Sequence, residues 1–178
     1  MKIALLVIDM QRVYAAGGAW ETEGLETVAE NIVNLCGKYK NRLFTRHLPF
    51  DNPPGRWKSY NEVNADVNSD PEGILLLPEL ASIPHQLFDK YTYSALESGR
   101  LREYLLTEQY DEILITGVQT EFCVLSTMMT AVDLGLPVTI VPDACAASLP
   151  IFNEAIVLLA ELIPAQIEIK YSKELLNG

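Results

Sequence analysis

Three residues scattered along a 178-residue chain combine types that carry nucleophilic and acid–base chemistry. Asp9 follows the apolar run IALLVI, Lys90 closes HQLFDK, and Cys123 lies shortly after EILIT, inside GVQTEFCV. A cysteine in the first turn of a helix sits against the positive end of the helix dipole and free N–H groups, which lower its pKa and favour the thiolate. A lysine close by would lower it further. The same N–H groups suit the oxyanion that forms when a thiolate attacks a carbonyl. An aspartate could take the thiol proton, pass it to a departing amine, and then activate water against the thioester. Thr120 is placed to cap this helix start. If its hydroxyl binds the Cys123 N–H, that donor is lost to a substrate, and the sequence leaves both uses open. Each residue also has an ordinary reading: a packing cysteine, a strand-end aspartate that caps a turn, a solvated lysine.

The elements that must bring these residues together alternate along the chain. IALLVI at 3–8 is continuous enough for a strand buried on both faces. Leu25, Val28, Ile32 and Leu35 recur at helical spacing, with Glu26, Glu30 and Lys38 at polar positions and Gly37 near the helix end. RLFTRH at 42–47 reads as a second strand. Residues 48–73 are rich in Pro, Asn, Asp and Gly and have no period, so a long loop is expected there; its Trp57 and Tyr60 mark it as functional. HQLFDK supplies a third strand, residues 97–107 a helix carrying Leu101, Tyr104 and Leu105, and EILIT at 112–116 a fourth strand. An almost wholly apolar helix over 121–134 is closed by Gly135. PVTIV is a fifth strand, 151–162 a further helix, and QIEIKY alternates as an edge strand would. The pattern predicts one α/β domain over 1–178: a three-layer, doubly wound, mostly parallel six-stranded sheet with helices on both faces. In such sheets ligands bind beyond the carboxyl ends of the strands, where Asp9, Lys90 and Cys123 all fall.

Composition narrows the partners. The net charge of −11 argues against nucleic acid and anionic membrane, leaving a small molecule. No apolar stretch reaches the roughly 18 residues of a membrane span. MKIALLVIDMQ lacks a small-residue cleavage site and reads as a strand rather than a signal peptide. Three sparse cysteines do not form a disulfide framework, and a reducing, cytoplasmic setting is expected. Cys36 and Cys145 are read as packing residues.

DMQ at 9–11, FDKYTYSAL at 88–96, GVQTEFCV at 117–124 and VPDACAAS at 141–148 together resemble the signature segments of the isochorismatase-like cysteine hydrolases, in that family's order and spacing. The resemblance covers nearly the whole chain. It implies an Asp9–Lys90–Cys123 triad, a non-proline cis peptide just before Gln119, and an oxyanion site built from the Gln119 and Cys123 backbone N–H groups. It also implies a homodimer or homotetramer, and no cofactor is expected. Isochorismatases proper, which cleave a vinyl ether, typically lack a cysteine at the nucleophile position. Cys123 therefore favours hydrolysis of a C–N bond in a nicotinamide-like amide, an N-carbamoyl amine or a ureido compound. A vinyl-ether hydrolase and a non-catalytic ligand-binding member of the fold are the rivals. A nucleotide-binding domain is disfavoured because no G-x-G-x-x-G follows the first strand.

Many nicotinamidases of this family hold a metal after strand two with one Asp and two His. Here TRHLPFDNPPGRW offers only His47 and Asp51, with His85 far along the chain, so no metal is expected and His47 reads as a hydrogen-bonded strand-end residue. Tyr14, Trp57 and Tyr60 are candidate walls of a pocket for a small planar substrate. Gln11 either orients Asp9 or bonds backbone. Glu121 would raise the pKa of a neighbouring thiol and is expected to point to solvent.

Overall fold

The structure, a computed structural model, describes every residue except Ser98. Six strands form one sheet: β1 (Ile3–Ile8), β2 (Asn41–His47), β3 (Gln86–Lys90), β4 (Glu112–Val118), β5 (Val138–Ala146) and β6 (Ile167–Ile169). Their order is β3-β2-β1-β4-β5-β6, and every pairing is parallel. The sheet is thus wholly rather than mostly parallel. β1 and β4 lie at its centre, paired from Ile3 with Glu112 to Ile8 with Gly117.

The continuous apolar run of β1 makes sense in this position. Successive side chains point to opposite faces, and both faces are covered. Ala4, Leu6 and Ile8 join one core, and Leu5 and Val7 the other. The first core is closed by α5 (Arg100–Glu108), α6 (Leu125–Asp133) and α7 (Pro150–Glu161), through Leu101, Leu105, Met128, Ala131, Ile156 and Ala160. The second is closed by α1 (Leu25–Lys38), through the Leu25, Val28, Ile32 and Leu35 stripe, and by Leu175 of a C-terminal helix (Ser172–Asn177). Among the described residues, no helix is long and apolar enough to cross a membrane.

Three expectations are corrected. Residues 48–73 are not a plain loop: they contain α2 (Trp57–Val63) and α3 (Ala65–Asn68), and α4 (Pro78–Ala81) follows. Neither α2 nor α3 has a buried residue, so neither leaves an apolar stripe in the sequence. The C-terminal helix, α8 in chain order, was not expected. It is short, and its start is fixed by the Tyr171 N–H donating to Glu174 Oε2 at 2.8 Å. The fifth strand runs past Pro142 to Ala146, with a register shift where it pairs with Ile115 and Gly117. Proline is tolerated within a sheet at such an irregularity.

Candidate active site

At the carboxyl end of the sheet, the order of strands places Asp9, just past β1, beside the ends of β2 and β4. Asp9 is wholly buried and adopts a positive φ of 50°. Thr45 of β2 donates its hydroxyl to Asp9 Oδ1 at 2.6 Å and accepts the Asp9 N–H at 3.1 Å. Lys90, the last residue of β3, reaches back across β2 and sets Nζ 2.7 Å from Asp9 Oδ2. The same ammonium lies 3.3 Å from Cys123 Sγ and donates to the carbonyls of Thr92 (2.8 Å) and Tyr93 (3.1 Å). The three residues read from the strand ends therefore meet.

Burial works against the Lys90 charge, but the Asp9 carboxylate and the Cys123 sulfur outweigh it and raise its pKa. Lys90 is thus held as a cation although only 6% exposed. A buried ion pair of this kind is no guarantee of stability, because desolvation offsets much of the attraction. Its value is positional.

Cys123 does not begin an ordinary α-helix. β4 ends at a cis peptide between Val118 and Gln119, and Thr120–Val124 form one π-helical turn before α6. The Phe122 and Val124 N–H groups both donate to the Gln119 carbonyl at 3.1 Å. The Thr120 hydroxyl donates to Asn153 Oδ1 at 2.6 Å and caps no backbone N–H of the turn. The two uses left open for Thr120 are thereby separated: its side chain ties the turn to α7 and leaves the Cys123 N–H alone.

The expected depressed thiol pKa is overturned. Burial first, and then the Asp9 charge, push the Cys123 thiol up to about 12, against the opposing pull of Lys90. Cys123 is 5% exposed. Desolvation disfavours the thiolate more than one cation restores it. At rest the arrangement is a neutral thiol beside a lysine–aspartate ion pair.

Cys123 lines a cavity of about 350 Å³ together with Tyr14, Tyr60, Tyr93, Phe122 and His47. Trp57 is not on this lining. It stands behind, its ring 5.1 Å from that of Tyr60 and 5.0 Å from that of Tyr93. Tyr93 and Phe122, stacked 5.3 Å apart, were not singled out from the sequence although both lie inside signature segments. Thr45 left no signal, being a lone hydroxyl in a strand-like run.

The Gln11 side chain bonds backbone and makes no hydrogen bond to the Asp9 carboxylate, although the Gln11 N–H donates to the Asp9 carbonyl at 2.7 Å. It accepts the His47 N–H at 2.8 Å and donates to the carbonyls of His47 and Ile74, both at 3.1 Å. His47 is hydrogen-bonded only through its main chain. Among the described residues its ring has no partner, and Nδ1 is sealed from solvent. Glu121 does not point away: Oε1 accepts the Ser148 N–H at 3.0 Å, and Oε2 is buried without a partner. Cys36 and Cys145 are buried free thiols away from the cavity.

The residues do not suit a metal. Asp51 is exposed, and His85 is committed elsewhere, stacked 4.3 Å from Phe44 with Nδ1 2.6 Å from the Ile83 carbonyl. No group of three candidate His, Cys, Asp or Glu ligands occurs among the described residues.

The structure is thus a doubly wound parallel α/β protein with a cysteine, a lysine and an aspartate converging at the carboxyl end of its sheet. The chain belongs to the isochorismatase family of hydrolases, whose domain matches residues 3–157. Nicotinamidase 3 of Arabidopsis thaliana is 31% identical over 156 residues, covering 85% of this chain and 74% of that protein. A cysteine hydrolase from Pseudomonas syringae shares the fold with a TM-score of 0.84 at 21% identity, over 99% of this chain and 91% of its own. An N-carbamoylsarcosine amidase from Thermoplasma acidophilum superposes with a TM-score of 0.78 at 19% identity, over 98% of both chains.

Proposed function

We propose that the protein is a cysteine-dependent amidohydrolase that cleaves the C–N bond of a small amide, carbamoyl or ureido compound through a thioester. The observation that carries this reading is the position of Lys90 Nζ, 2.7 Å from Asp9 Oδ2 and 3.3 Å from Cys123 Sγ, beside an aromatic-walled cavity. The activities named for the Arabidopsis and Thermoplasma proteins, both amide hydrolyses, agree with it.

The thiol is protonated at rest, so its proton must leave as the carbon–sulfur bond forms. Asp9 takes that proton, and Lys90 balances the negative charge passing through sulfur. Proton transfer in the transition state makes a preformed thiolate unnecessary. The carbonyl oxygen becomes an oxyanion held by the Gln119 and Cys123 N–H groups. Collapse of the adduct breaks the C–N bond, and the protonated Asp9 gives its proton to the departing ammonia or amine. Water then attacks the thioester carbonyl and yields a proton to Asp9. The C–S bond breaks to release the acid, and the proton returns to sulfur. Tyr14 and Tyr60 wall the substrate, and Trp57 braces Tyr60. A homodimer or homotetramer agrees with the apolar residues exposed around α7: Leu149, Ile151, Leu158 and Leu162.

Ammonia release against a panel of small amides and carbamoyl compounds tests this reading. Turnover of at least one by the wild-type chain, lost in Cys123→Ala, is expected. Ammonia release that survives Cys123→Ala would remove the cysteine from the reaction, cleavage of a vinyl ether that survives it would point to the vinyl-ether chemistry of the family, and no turnover of any compound to a ligand-binding role.

A further inference from the structure

The pocket has little positive charge to offer a ligand. Lys90 is committed to Asp9, Cys123 and the carbonyls of Thr92 and Tyr93. Glu21 adds a negative charge to the lining. The remaining basic side chain there is His47, which is 8% exposed.

His47 is held rather than free. Gln11 clamps its backbone N–H and carbonyl, and it ends β2 in register with Lys90. Its ring makes no hydrogen bond to the protein among the described residues. A buried polar group left unpaired in a folded protein calls for a partner. Nδ1 is shut in, so the ring's other nitrogen is the one available on the cavity side. Nδ1 meets no acceptor, so the neutral ring is assigned its proton on Nε2, which makes that nitrogen a donor. Burial, helped by the Lys90 charge against the weaker opposing pull of Asp9, drives the imidazole pKa down to about 4. The ring is uncharged at neutral pH.

We propose that His47 is the specificity-determining residue of the pocket, donating a hydrogen bond to an uncharged acceptor on the substrate, in a site that disfavours substrates bearing a carboxylate. This deepens the amidohydrolase reading, since it takes the same cavity as the substrate site. It selects neutral amides over N-carbamoyl amino acids within the class proposed above.

The test uses nicotinamide and benzamide, which differ by a ring nitrogen in place of C–H, and 3-carbamoylbenzoate, which adds a carboxylate to benzamide. Steady-state kinetics are measured for wild type, His47→Asn and His47→Leu, and binding to Cys123→Ala by calorimetry. Wild type is expected to favour nicotinamide over benzamide by about tenfold, chiefly in KM. His47→Leu abolishes this preference and His47→Asn, which keeps a donor, retains part of it. The carboxylate compound is bound at least about tenfold more weakly than benzamide. Should His47→Leu not fold, His47→Asn and the wild-type comparison of the three ligands still decide. Equal handling of nicotinamide and benzamide, a preference that survives in folded His47→Leu, or tight carboxylate binding overturns the proposal. Binding preference in Cys123→Ala without wild-type turnover would sink hydrolysis and leave His47 standing. Turnover without ring-nitrogen preference does the reverse, and no binding of any of the three ends both.

Discussion

Thr45 and Asp9 are locked together by two hydrogen bonds, the Thr45 hydroxyl donating to Asp9 Oδ1 at 2.6 Å and receiving the Asp9 N–H at 3.1 Å. The pair fixes the carboxylate with its second oxygen turned toward Lys90. Thr45→Val preserves shape and removes both bonds. A buried oxygen left unpaired costs about 1–3 kcal/mol, so the urea midpoint should fall by a corresponding amount. A drop of roughly tenfold in kcat with little change in KM is expected from a loosened acid–base group. Unchanged kcat in a destabilised variant would reduce Thr45 to a packing role.

Asp9 and Lys90 are each other's compensation in the interior. Removing one alone strands a buried charge. Lys90→Met should therefore cost about 3–5 kcal/mol in urea unfolding, and Asp9→Asn a comparable amount. The double variant should recover much of that loss while remaining inactive. Additive losses across the cycle would show that the two charges do not depend on each other.

His47 gives the fold a pH dependence whose sign follows from its lowered pKa. In the unfolded chain the imidazole takes up a proton near pH 6.5, whereas in the folded one it stays neutral until about 4. Between those values the unfolded state binds more protons, so stability falls as pH falls. The contribution is complete above about pH 6.5 and gone near pH 4, on the order of 3 kcal/mol. Chemical unfolding at pH 7, 5 and 4 should show wild type losing more stability than His47→Asn. Parallel losses would place the acid sensitivity elsewhere.

Two glycines should respond in opposite directions. Gly117 has φ +113°, and a Cβ there would stand 2.1 Å from the Ile8 carbonyl oxygen, on the strand that leads to Asp9. Gly117→Ala must push β1 and β4 apart at the site, and a loss of about 3 kcal/mol or more, with loss of activity, is expected. Gly37 lies in the last turn of α1 with nothing near its missing Cβ. Gly37→Ala should stabilise by roughly 0.5–1 kcal/mol. Thermal melts of the two variants settle both.

Much of this site was legible before any coordinates. IALLVI and EILIT are apolar throughout because β1 and β4 are covered on both faces, and the residues that follow them fall at the ligand-binding end of a parallel sheet. Asp9, Lys90 and Cys123 were found by that rule. What was not legible depends on distance and burial. Nothing in RLFTRH distinguishes Thr45 from any other strand threonine. The raised Cys123 pKa is hidden from sequence because proximity to a helix start shows there, whereas desolvation and the neighbouring carboxylate do not. Helices α2 and α3 bury no residue and so carry no period to read.

The central claim is a covalent bond between Cys123 and the acyl group of an amide. Intact-protein mass spectrometry of the wild type, acid-quenched during turnover of an amide that releases ammonia, tests it most directly. A mass increase equal to the acyl group, mapped to Cys123 and absent from Cys123→Ala, is expected. Sustained ammonia release by the Cys123→Ala variant, or an acyl group mapped to any other residue, would contradict it.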